Sequence, residues 1–139
     1  MAQSLNEVMT HDPQTVDTTA TLAETAKLMR DNDTGAIIVT DGGEVRGIVT
    51  DRDITIRAVA DGQDPNGTQV SQVFTENPTT LTPDQTVDDA IRVVREQDIR
   101  RVPVVQDGKP VGIVSLGDLA IERDQDSALA DMSSSPANN

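Results

Sequence analysis

Gly47-Ile48-Val49-Thr50-Asp51-Arg52-Asp53 is answered later in the chain by Gly112-Ile113-Val114-Ser115-Leu116-Gly117-Asp118. In each copy a glycine leads into an apolar run, a hydroxyl residue follows, and an aspartate stands three positions beyond it. The apolar run predicts a buried strand, and the hydroxyl–x–x–carboxylate spacing predicts a helix starting directly after it. The hydroxyl would face the unpaired backbone N–H groups of the helix N-terminus. On spacing alone, Thr50 with Asp53 and Ser115 with Asp118 are ordinary N-caps with an acidic group in the first turn.

The duplication extends beyond these corners. One offset of about 65 residues, without a gap, pairs Val8 with Val73, Pro13 with Pro78, Thr21 with Thr86, Asp33 with Asp98 and Gly43 with Gly108. Matches that fall on caps, turns and strand ends together indicate an internal repeat. In the first half, Ser4 and Glu7 have capping-box spacing and predict a short helix ended by Pro13. Thr15-Val16 reads as extended. Thr21 with Glu24 opens a second helix to about Asp31, with Leu22, Ala26 and Met29 on one stripe and Thr25 and Leu28 beside it. Gly35 is placed for a left-handed cap. Ala36 to Thr40 and Val45 to Val49 read as strands around the Asp41-Gly42-Gly43 turn, and the Thr50 corner starts a helix through Ala58.

Asp61 to Gly67 is a dense turn signal and the joint between halves. Thr68 to Phe74 reads as another short helix, and the pattern restarts. Thr86 caps a helix carrying Val87, Ala90, Ile91 and Val94. Arg101 to Val105 and Val111 to Val114 are strands around Asp107-Gly108, and the Ser115 corner opens a last helix with Leu116, Leu119 and Ala120. From about Arg123 the sequence turns polar, and 123–139 is expected to be a disordered tail. Neither half is large enough to bury its apolar strands alone. The expected fold is therefore α/β (α+β mixed). It has two repeats, each with a small three-stranded sheet and two helices, packed with pseudo-two-fold symmetry.

Composition narrows the function. The 139 residues carry a net charge of −13, which argues against nucleic acid or an anionic membrane as partner. It still allows a small anion held by local arginines, whose planar fork suits fixed recognition. With no cysteine there are neither disulfides nor thiolate metal sites. The N-terminus has neither the positive start nor the apolar stretch of a secretory signal, so a cytoplasmic protein is expected. Catalysis finds no support. His11 is the single histidine, and no nucleophile stands in sequence for it to activate. Gly62 to Gly67 has phosphate-loop spacing, but Thr68 stands where the lysine is required. Asp31-x-Asp33-x-Gly35 lacks the glycine and glutamate of a calcium loop at their required positions. No metal site and no obligatory cofactor are expected.

The paired repeats resemble a tandem cystathionine β-synthase (CBS) domain module, or Bateman module, over about Leu5 to Glu122. The segments that carry the resemblance are VMTHDPQTV and VFTENPTTL, RRVPVV, and the endings GIVTDRDI and GIVSLGDL. The resemblance implies one module over 1–122, with repeats at 8–60 and 73–122 and a linker at 61–67. It implies that Thr50 with Asp53, and Ser115 with Asp118, bind the ribose of an adenosine-containing ligand. AMP, ADP, ATP or S-adenosylmethionine would be such a ligand. A carboxylate can accept two hydrogen bonds from a vicinal diol, and a helix N-terminus can face a phosphate. It further implies that Arg100 and Arg101 reach phosphates across the repeat interface, and that Ile99, Thr34 and Gly35 line purine pockets. Arg52 and Arg57 are candidates for extra positive potential near the first corner, and for Arg57 a solvated face is the preferred expectation.

The first half departs from the pattern. Gly35-Ala36-Ile37-Ile38 stands where the second half has Arg100-Arg101-Val102-Pro103. Unequal sites are therefore expected, with charged nucleotides preferring the Asp53 corner and the Asp118 corner lacking a basic partner. Two functions follow from the resemblance. One is a regulatory sensor that binds an adenosine ligand between its repeats, shifts their arrangement and signals to a regulated protein; the alternative is a ligand-free interaction scaffold. In the scaffold the corners serve only as caps, and Arg100 and Arg101 only balance surface charge. A homodimer is expected in either case.

Overall fold

The computed structural model describes residues 3–76, 79–115 and 117–120. Pro78, Leu116 and the tail past Arg123 lie outside them. The chain begins with a short helix α1 (Leu5–Val8) and strands β1 (Thr10–His11) and β2 (Thr15–Asp17). Helix α2 (Leu22–Asn32), hairpin β3 (Ala36–Asp41) and β4 (Glu44–Thr50), and helix α3 (Asp51–Asp53) follow. Beyond α3 the helix continues with π-type winding over Ile54–Val59. The second half has a 3₁₀ turn (Val70–Gln72), β5 (Thr75–Glu76), α4 (Val87–Gln97), β6 (Arg101–Gln106), β7 (Lys109–Ser115) and a helical segment at 117–120. Both hairpins close on residue pairs with positive φ, Gly42-Gly43 and Asp107-Gly108, matching the right-handed twist of the strands. Among the described residues, no helix is long and apolar enough to cross a membrane.

The halves exchange their opening segments. β1 leaves the first half and pairs antiparallel with β7, Thr10 opposite Ile113 and His11 opposite Gly112. β5 makes the reciprocal pairing with β4, Thr75 opposite Ile48 and Glu76 opposite Gly47. The resulting sheets run β1-β7-β6 and β2-β3-β4-β5, and Leu81 adds a parallel bridge to Val104 where β2 lies in the other sheet. Backbone hydrogen bonds repeat the symmetry. Leu5 N donates to Gln85 O and Val70 N to Ala20 O, both at 2.8 Å. The first N–H groups of the long helices are satisfied in the same reciprocal way, Leu22 N by Thr68 O and Val87 N by Gln3 O.

Each core is accordingly a joint product. Leu5 and Met9 pack with Val87, Val94, Val102 and Val114, while Val70, Val73 and Phe74 pack with Leu22, Ile37 and Val49. Ile38 and Pro103 are buried on the opposite faces of their strands.

Local readings differ from the structure at four places. Asp33, at φ 51°, takes the left-handed cap of α2, not Gly35, and Asp98 does the same for α4. Short Asp side chains tolerate this region. Ala26 is exposed, and Thr25 takes the buried position with its hydroxyl donating to Thr21 O. Ser4 makes no side-chain cap bond to the α1 backbone: Glu7 N donates to Ser4 O at 3.1 Å, and the Ser4 hydroxyl donates to Glu7 Oε2 at 3.2 Å. The helix expected over Thr68 to Phe74 is only the 3₁₀ turn, since its donors are drawn to the first half.

Candidate ligand site between the repeats

Both strand-to-helix corners form complete capping boxes. Asp53 N donates to Thr50 Oγ1 at 3.1 Å, and Thr50 N donates to Asp53 Oδ2 at 2.9 Å. Asp118 N donates to Ser115 Oγ at 3.1 Å, and Ser115 N to Asp118 Oδ2 at 3.2 Å. In each aspartate Oδ2 is thereby committed to the backbone. Near Asp53, Arg57 Nε lies 3.8 Å from Oδ1 while its Nη1 donates to Val73 O at 3.2 Å. Arg57 is thus tied to the corner rather than merely solvated.

The sheets leave two clefts beside these corners. One, of about 890 Å³, is lined by Thr50 and Asp53 from the first half and Ile99, Arg100 and Arg101 from the second. The other, of about 410 Å³, is lined by Ser115 and Asp118 from the second half and Thr34 and Ala36 from the first. The linings correspond through the repeat, with Thr75, Thr79 and Gln97 in one cleft matched by Thr10, Gln14 and Asn32 in the other. Gly35 lines neither. Its carbonyl accepts from Asp51 N at 2.9 Å, and a Cβ there would meet the Asp51 carboxylate at 3.0 Å.

Charge distinguishes the clefts. The larger sets Arg52, Arg100 and Arg101 against Asp51, Asp53 and Asp98. The smaller sets Arg101 alone against Asp12, Asp33 and Asp118. Arg101 therefore lines both, which amends the expectation that the Asp118 corner has no basic partner. Sequence reading missed the threonines of the crossing segments and the Asp33 and Asp98 caps. The repeat of Met9-Thr10 and Phe74-Thr75 one position after matched valines was the available signal, but only the strand exchange brings these residues to the corners.

The profile of the CBS domain matches residues 5–59 and 70–123. The chain belongs to the CBS-domain family. The CBS domain-containing protein YhcV of Bacillus subtilis is 38% identical over 120 residues, covering 86% of this chain and 85% of that one. Hypoxic response protein 1 of Mycobacterium tuberculosis is 35% identical over 101 residues, covering 72% and 71%. Among solved structures, a protein with CBS domains from Burkholderia ambifaria has a TM-score of 0.82 at 26% identity, covering 92% of this chain and 98% of that one. The CBS domain pair of protein MJ0100, solved with 5′-methylthioadenosine and S-adenosyl-L-methionine, also has a TM-score of 0.82. At 24% identity, over 91% of this chain and 99% of that one, the latter likeness is one of fold. The two matched stretches make the chain a tandem CBS pair.

Proposed function

We infer that this CBS pair is a regulatory module that binds an adenosine-containing ligand between its repeats. AMP, ADP, ATP or an S-adenosylmethionine-like compound is the ligand class, and the module signals to a partner by a change in arrangement. One observation carries the reading: the larger cleft gathers Thr50, Asp53, Ile99, Arg100 and Arg101 from both halves. There Asp53 Oδ1, 3.8 Å from Arg57 Nε, can still accept from a ribose hydroxyl, Ile99 offers an apolar wall for a purine, and the arginines offer donors to phosphate. Because ligand would touch both repeats, it can favour one arrangement over another through differential contacts.

The scaffold reading also has an observation in its favour. The corner hydroxyls and aspartates are already occupied as caps. A melting series with AMP, ADP, ATP and S-adenosylmethionine separates the two. Saturation at one hundred times the dissociation constant adds about 2.7 kcal/mol of stability to a sensor. No shift with any of them would sink the sensor reading. Ligand carried through purification is also visible directly, since a purine absorbs in the near ultraviolet where a chain without Trp or Tyr scarcely does. Self-association as a homodimer is part of this reading. It is supported by the exposed apolar side chains of Ile56 and Val59, and light scattering at micromolar concentration tests it.

A further inference from the structure

Arg101 occupies a position with no counterpart. At the start of β6 it stands opposite Ser115, as Ala36 at the start of β3 stands opposite Thr50. Ala36 has no polar reach, so at the matching position the first half offers no cation to the smaller cleft. Arg101 lines both clefts, whereas Arg100 lines only the larger. Arg101 therefore lies at the boundary of two cavities of different charge. The larger keeps Arg52 and Arg100 without it; the smaller keeps only carboxylates.

We propose that Arg101 couples the two clefts, so that a phosphorylated adenosine ligand in the larger one turns the smaller one into a site for a cationic adenosine ligand. This rests on the ligand-binding reading above. A di- or triphosphate in the larger cleft draws the guanidinium toward its oxygens. Asp12, Asp33 and Asp118 are then left without the one cation that lines their cleft, which favours a sulfonium or ammonium group and disfavours a second phosphate. By linkage the cationic ligand must raise the affinity for the phosphorylated one by the same factor. The device needs no large motion, only two orientations of one side chain.

The test is calorimetric titration of S-adenosylmethionine into the full chain at physiological salt, with and without saturating ADP. In the wild type, ADP is expected to tighten S-adenosylmethionine binding by about five-fold, the lower end of ordinary coupling. Arg101→Gln is expected to bind S-adenosylmethionine equally with or without ADP. Arg100→Gln, which alters the larger cleft alone, is expected to weaken ADP and keep the gain once ADP saturates. Two equal, independent ADP sites in the wild type would overturn the coupling. A gain that survives in Arg101→Gln would mean the ligands attract one another directly, and would overturn the role of Arg101. If Arg101→Gln fails to give a cooperative melt, Arg101→Lys serves instead, with a gain reduced because an ammonium cannot form the paired contact. Failure of both probes to bind the wild type would bring down the ligand-binding reading itself, and the coupling with it. Binding without coupling overturns only the latter.

Discussion

At Thr50 and Asp53 the local geometry is the same as at Thr86 and Asp89, where the same pair of bonds caps α4 with residues that line neither cleft. Capping chemistry alone therefore cannot distinguish a binding residue from a structural one; the cleft beside Asp53 does. Replacing either aspartate with alanine removes one capping bond and is expected to cost on the order of 1 kcal/mol. Only Asp53→Ala should also remove the nucleotide-induced rise in melting temperature. Asp89→Ala should keep the full rise, and equal ligand responses in the two variants would refute the assignment of Asp53. The sequence presented both pairs as caps, and since the Thr86 cap is itself repeated from Thr21, it was the family resemblance that set the corner pairs apart.

Among the elements, the strand crossings explain the glycine that opens each repeated phrase. A Cβ on Gly47 would collide with the carbonyl of Thr75 and the Phe74 ring, and one on Gly112 would collide with the Met9 side chain. Backbone cannot yield at the first site, whereas a methionine can swing away at the second. Gly112→Ala is expected to cost about 1–3 kcal/mol, as overpacking does, and Gly47→Ala more than that, read from urea midpoints. Equal losses would mean that β5 is held less firmly than its pairing with β4 implies. At the start of α4, the hydrogen bond from the Thr86 backbone, helped by Arg92 at 2.6 Å, holds Asp89 below its ordinary value of 3.8. A carboxyl depressed on folding stabilises the fold above its unfolded value, and that contribution is lost as pH falls through the folded one. Asp89→Asn should therefore be less stable than wild type at about pH 6, with the gap narrowing as pH falls below 3.8. A gap independent of pH would show that the asparagine lost packing rather than charge.

For the whole molecule, exchange makes the halves interdependent. Leu5, fully buried, belongs to the second core, and Val70 and Val73 belong to the first. A chain cut in the joint after Gly67 gives a first fragment without β5 and without three of its core side chains. Neither fragment alone is expected to show a cooperative melt by circular dichroism, while an equimolar mixture should regain one. A cooperative melt from residues 1–67 alone would refute the joint core. The same exchange builds the clefts, because it carries Thr10 and Thr75 to the corners of the opposite half.

The sequence by itself determined the repeat, its register, the hairpins and the capped corners, because these rest on local periodicity, turn chemistry and a fixed offset. It also carried the family, since two matched copies in register are specific. The tertiary structure alone decided which half's sheet receives β1 and β5, and that Arg101 lines two clefts. Such features depend on which backbone donors and side chains meet between segments far apart in the chain. Local propensity has no term for that distance.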